Sequence, residues 1–177
     1  MPGFPSGRTT NYSYTDGSTT AGSANGSVPP AGLLWKTVSP AGAVTETLYD
    51  AQGDVLKSIN ANNVTTSYTY DGIGRKISQT VVSDTETGGL TTSYSYNANG
   101  QVTQETDPPV TDAVTDKVHT EQITTTYDAD GDVLTQTTAD TTGGDASRTV
   151  SYTYNGYDQK ASSTDARSEE RRVGKEC

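Results

Sequence analysis

The chain has 177 residues, a formal charge of −10 and only 30% hydrophobic residues, with 32 Thr and 11 Tyr against one Phe, one Trp and one Met. A conventional globular core draws on Leu, Ile, Val and Phe in bulk, which this composition does not supply. The acidic balance argues against a nucleic-acid partner, because phosphate recognition uses clustered Lys and Arg, and no stretch reaches the roughly 18 apolar residues of a membrane-spanning helix.

Residues 1–30, rich in Gly, Ser and Pro, read as a weakly ordered lead-in. They lack the basic-then-apolar order of a signal peptide and carry a vestige of the motif described below at Tyr12-Ser13-Tyr14-Thr15-Asp16-Gly17. Residues 31–166 read as one repeated β-region, opening at Leu33-Leu34-Trp35-Lys36, where Trp35 is expected to sit on a strand covering the first hairpin.

Internal repeats dominate from there on. The frame recurs at Leu48-Tyr49-Asp50-Ala51-Gln52-Gly53-Asp54-Val55-Leu56 and at Tyr68-Thr69-Tyr70-Asp71-Gly72-Ile73-Gly74-Arg75-Lys76-Ile77. It returns at Tyr94-Ser95-Tyr96-Asn97-Ala98-Asn99-Gly100-Gln101-Val102 and at Tyr127-Asp128-Ala129-Asp130-Gly131-Asp132-Val133-Leu134. A degenerate fifth copy is Tyr152-Thr153-Tyr154-Asn155-Gly156-Tyr157-Asp158-Gln159-Lys160.

Each copy predicts a β-hairpin. Thr and Tyr favour strands, and in Thr66 to Tyr70 they alternate, putting Tyr68 and Tyr70 on one face. Asp or Asn after the tyrosine bonds its side chain to the backbone ahead, and Gly three residues later closes the turn in the left-handed conformation. In the fifth copy Asp158 holds the glycine's place, which predicts a looser turn there. A second class of turns, more variable in length, alternates with the first: Ser39 to Gly42, Asn60 to Asn63, Asp84 to Gly89, Asp107 to about Thr120, and Asp140 to Asp145. The expectation is an all-β fold, an antiparallel meander of about ten short strands with no helix. One hairpin holds three or four apolar side chains and is marginal alone, so neighbouring hairpins must support one another through ladder hydrogen bonds and stacked tyrosines.

The Tyr-Asp-x-x-Gly-Arg pattern, clearest at Tyr70-Asp71-Gly72-Ile73-Gly74-Arg75, resembles the YD repeat of the RHS family, and the Thr-Thr-x-Tyr-x-Tyr runs at Thr65 to Tyr70 and Thr91 to Tyr96 fit it too. The resemblance covers roughly residues 33–164. It implies a spiralling β-strip, part of a β-shell that encloses a toxin or effector domain outside this chain, in a protein that is secreted or at the cell surface. Its partners would be neighbouring repeats of the same full-length chain and an enclosed C-terminal effector domain. A cell-surface adhesion or glycan-binding module is the alternative. The repeat-turn residues so implied are Tyr49, Asp50, Gly53, Tyr70, Asp71, Gly74, Arg75, Tyr96, Asn97, Gly100, Tyr127, Asp128, Gly131, Tyr154 and Asn155, with a structural role. Asp54, Gln101 and Asp132 stand where the family usually has Arg, and Asp107-Pro108-Pro109 does not match the Asp-Pro-x-Gly motif that closes the family's shells.

Catalytic chemistry finds little to work with. Asp128-Ala129-Asp130-Gly131-Asp132 alternates carboxylates as a calcium loop would, but Val133 and Ala139 hold the places of an EF-hand's sixth-position Gly and twelfth-position acid. A Ser-His-Asp arrangement could be built only around His119, which the pattern places on an exposed, flexible loop. No catalytic residue, metal ligand or cofactor is expected. The last eleven residues, Arg167 to Cys177, switch abruptly to a dense charge run and resemble the translation of a sequencing-library adapter. The natural gene is therefore expected to continue past Ala166, and setting the tail aside removes the only cysteine.

Overall fold

The computed structural model describes residues 8–165; the charged tail 167–177 lies outside them. The chain divides into two compact units, residues 1–90 and 91–177. In the first, six strands follow one another: β1 (Asn11–Tyr14), β2 (Leu34–Val38), β3 (Val44–Tyr49), β4 (Val55–Ile59), β5 (Thr65–Tyr70) and β6 (Lys76–Val82). Each pairs antiparallel with the next.

The second unit holds β7 (Leu90–Tyr96), β8 (Val102–Thr106), β9 (Val110–Thr111), β10 (Val118–His119), β11 (Glu121–Tyr127), β12 (Val133–Asp140), β13 (Arg148–Tyr154) and β14 (Lys160–Asp165). Here β7, β8, β11, β12, β13 and β14 form the antiparallel meander. The pair β9–β10 is a separate small hairpin inserted between β8 and β11. No described residue is helical. The fold is the antiparallel meander of repeated hairpins that the alternation predicts. The long loop after Asp107 contributes two strands that its Pro-Pro opening gives no sign of.

Among the described residues Pro29 is fully buried, and no aliphatic or aromatic side chain is. That follows from composition, since too few large aliphatic residues exist to fill a second layer. Stabilisation falls instead to ladder hydrogen bonds and to side chains lying side by side across strands. In residues 91–165 the register sorts the two faces. Tyr94, Tyr127, Tyr152 and Tyr154 share one, and the other is a carpet of hydroxyls. On the latter, Thr126 and Thr135 hydroxyls are 2.6 Å apart, Thr137 and Thr149 are 2.8 Å apart, and Thr153 and Ser162 are 2.7 Å apart.

The segment read as a lead-in carries defined structure. Beyond β1, Thr15 is 4% exposed; its N–H donates to Leu33 O at 2.9 Å, and Leu33 N–H donates to its hydroxyl at 3.0 Å. Tyr49 N–H donates to Gly22 O, and Ala24 N–H donates to Tyr49 O. A Cβ on Gly22 would come within 2.7 Å of Trp35 Cβ, so glycine is what lets this segment lie against β2. Gly and Pro content signals weak intrinsic preference for helix or strand, but it also suits a chain that must follow another surface closely.

Candidate functional site

The five Tyr-Asp turns share one hydrogen-bond pattern. The N–H of the first turn residue donates to the carbonyl four residues on: Asp50 to Asp54, Asp71 to Arg75, Asn97 to Gln101, Asp128 to Asp132 and Asn155 to Gln159, at 2.9–3.0 Å. The N–H of the fourth residue (Gly53, Gly74, Gly100, Gly131 or Asp158) donates back to the first. The strand register slips by one residue at the tyrosine, as expected of a three-residue loop closed by a left-handed residue. Gly74 has φ of +81° and Asp158 has φ of +55°. The fifth turn is accordingly no looser than the rest. Asp is among the few non-Gly residues that accept this region, and its hydrogen bonds are 3.0 and 3.1 Å.

The side chain of the first turn residue completes the turn. Asp71 Oδ1 accepts the N–H groups of Ile73 and Arg75, both at 3.0 Å. Asp50, Asn97, Asp128 and Asn155 do the same in their own turns. The Arg75 N–H and other donors hold the Asp71 carboxyl below the usual range. The fifth turn residue then pairs with the first: Arg75 Nε with Asp71 at 2.7 Å, Asn97 Nδ2 with Gln101 at 2.7 Å, Asn155 Nδ2 with Gln159 at 3.0 Å. A neutral Asn thus meets a neutral Gln where Asp meets Arg. At Asp128–Asp132 two carboxylates occupy these places, and Asp132 is raised by burial and then by Asp128.

The Ser39 and Asn60 turns, grouped with the variable class, close with the same pair of backbone bonds but without the register slip. Asn63 takes the left-handed place at φ +60°, and Asn60 Oδ1 accepts from Asn62 and Val64.

The tyrosine before each turn reaches sideways. Tyr49 Oη donates to Leu34 O at 2.7 Å, Tyr70 to Val55 O at 2.9 Å, Tyr127 to Val102 O at 2.7 Å and Tyr154 to Val133 O at 3.0 Å. Every acceptor is the first residue of β2, β4, β8 or β12. The Tyr49, Tyr70 and Tyr154 pairs therefore tie a hairpin to the strand preceding it, and the Tyr127 pair does so across the inserted hairpin. Burial raises the Tyr49 and Tyr70 phenols, with Asp54 adding to the effect at Tyr70. Tyr96 closes β7 at the matching position.

A second grouping lies on the side of the variable loops. His119 ends β10, Asp140 ends β12, and Asp145 lies in the loop that follows. His119 Nδ1 is 2.7 Å from Asp140 Oδ2 and 3.4 Å from Asp145 Oδ2. His119 is thus held against two carboxylates, where the sequence pattern places it on a flexible loop; the pairing of Glu121 with Asp140 brings the two loops together. The depression beside it, about 430 Å³, is lined by His119, Glu121, Thr138, Asp140, Asp145 and Arg148, with Ala139 and Ala146. Thr138 supplies the one hydroxyl side chain among these lining residues.

Two stretches, residues 49–83 and 80–108, match the RHS Repeat family. Residues 49–108 are RHS repeats. The fold is similar to a chain in the Photorhabdus luminescens Tc holotoxin pore bearing a TccC3 mutation, with 16% identity, a TM-score of 0.58, and coverage of 76% of this chain and 8% of that one. It is also similar to a chain in the crystal structure of TcdB2-TccC3-Cdc42, with 18% identity, a TM-score of 0.51, and coverage of 76% and 9%. This chain therefore spans under a tenth of the length of those it matches. No curated protein matches it by sequence.

The RHS match includes the turns after Tyr49, Tyr70 and Tyr96. The turns after Tyr127 and Tyr154 lie beyond it, yet repeat the same bonds. The tyrosine-to-carbonyl ties escaped the sequence reading, which assigned the tyrosines to stacking. An unvarying hydroxyl-bearing aromatic beside the turn, where Phe would stack as well, was the available signal. The His119 grouping has no local signal, because its members are brought together by strand register.

Proposed function

We propose that the chain is a wall segment of a larger secreted or cell-surface RHS shell, and that the shell encloses a toxin or effector domain carried outside residues 1–177. The observation that carries this reading is a repetitive strip with no buried aliphatic or aromatic side chain among its described residues, tied hairpin to hairpin by its turn tyrosines. Such a strip is suited to building a wall by adding copies and offers no reaction centre of its own. The RHS match and the similarity to Tc complexes support it. The partners are adjoining repeats and the enclosed domain.

The test is to express the chain with its genomic flanks and challenge the product with protease. Protection of a downstream domain, lost when the strip is denatured, is the expected result. Equal cleavage of that domain with and without the intact strip would overturn enclosure, and tyrosine-dependent binding on a glycan array would favour the adhesive alternative.

A further inference from the structure

We propose that His119, Asp140 and Asp145 form a binding site for a first-row divalent metal ion such as Zn²⁺, which latches the inserted β9–β10 hairpin to the β12–β13 loop. The three donor atoms lie within 4.8 Å of one another. Two carboxylate oxygens converge on one imidazole nitrogen, and that nitrogen carries at most one proton. A single N–H serves Asp140 well at 2.7 Å and leaves Asp145 at 3.4 Å. A metal ion displacing that proton would engage all three donors once the His119–Asp140 pair opens to the roughly 3.4 Å that tetrahedral ligands keep.

The donors are also held ready. Asp140 Oδ1 accepts the N–H groups of Thr120 at 3.0 Å, Thr142 at 3.1 Å and Gly143 at 2.9 Å, which turns Oδ2 toward His119. A Cβ at Gly143 would fall 2.2 Å from His119 Nδ1 and 2.3 Å from Asp140 Oδ2, so only glycine can pack this closely against both donors without pushing them apart. Thr142 Oγ1 donates to Val118 O at 2.9 Å, fixing the loop to the inserted hairpin on the other side.

The surrounding charges permit a cation. Glu121 lines the same depression, and Arg148 on its far wall is taken up by Asp165, with Nε 3.0 Å from Oδ1. On the other side, His119 and Asp145 border a second depression with Asp112 and Lys117. One imidazole and two carboxylates suit Zn²⁺ with water completing the tetrahedron. Ca²⁺ and Mg²⁺ seek oxygen ligands alone. The site does not depend on what, if anything, the shell encloses.

His119 is the only histidine, so its imidazole NMR signals report the site without ambiguity. The full chain carrying Cys177→Ser, which removes the one thiol that could compete, is titrated with Zn²⁺ by calorimetry and followed by imidazole ¹⁵N spectra. The expected result is one ion per chain, a shift of the Nδ1 resonance, and a rise in melting temperature that Ca²⁺ and Mg²⁺ do not reproduce. His119→Gln and Asp145→Asn should each weaken binding at least as much as loss of an outer partner does in known sites, about 10–100-fold. Asp145 is exposed, so its variant keeps the fold and isolates the ligand effect. No saturable binding, or binding that Asp145→Asn and His119→Gln both leave unchanged, would overturn the site.

Discussion

The phenolic hydroxyl of Tyr70 donates to the carbonyl oxygen of Val55, 2.9 Å away and fifteen residues earlier in the chain. The bond joins the end of one hairpin's first strand to the beginning of the previous hairpin's second strand. A half-exposed sheet edge would otherwise leave that carbonyl to water. Replacing Tyr70 with Phe keeps the ring and removes only the donor, and a hydrogen bond of this kind contributes about 0.5–1.5 kcal/mol net. Urea unfolding of the Tyr70→Phe chain should show a loss of that size, with the m-value unchanged.

The same bonds set an alkaline limit. Tyr49, Tyr70 and Tyr154, which make these bonds, have phenol values raised above the ordinary 10.0, chiefly by burial, and so does Tyr94, which lies beside Glu105. A raised value means the neutral form is favoured in the fold. Their contribution is therefore complete below pH 10 and is lost as pH climbs through the raised values. Melting temperature should fall steeply above pH 10, and the fall should be shallower in Tyr70→Phe, which has one phenol fewer to ionise.

Acid acts through the turns. Asp16 is lowered to about 2, first by the Ser18 N–H, and Asp71 is lowered first by the Arg75 N–H. Depressed values contribute stability that is present above the ordinary carboxylate value of 3.8 and is lost as pH falls through the folded values. Asp71→Asn should retain the turn, because Asn97 and Asn155 accept the same N–H groups, while losing the Arg75 pair and part of the acid dependence. Asp71→Ala should melt lower than Asp71→Asn at neutral pH.

The Tyr-Asp turns were legible because everything they need is local: a carboxylate or amide, three residues, and a glycine. Asn60 to Asn63 meets the same requirement without a preceding tyrosine, and it shares the loop's backbone and Oδ1 bonds but not the register slip. The order in residues 8–30 was not legible, since it depends on Gly22 lying against Trp35 and on Thr15 bonding Leu33, contacts between segments that no local pattern encodes. The His119 grouping failed to show for the same reason: the histidine and Asp140 are 21 residues apart.

Asp158 supplies a further check. It holds a left-handed backbone at φ +55° where four other copies have glycine. Asp158→Gly removes the Cβ contact that disfavours this region and should stabilise the chain by up to about 1 kcal/mol. Asp158→Val should destabilise it, as a β-branched residue does not adopt this conformation readily.

The central claim is that each hairpin is held up by its neighbour. Amide hydrogen exchange in the full chain, compared between the native sequence and Tyr70→Phe, tests it most directly. The account predicts faster exchange in β4, Val55–Ile59, as well as in β5 and β6, because the lost bond belonged to both hairpins. Faster exchange confined to β5 and β6, with β4 unchanged, would contradict it.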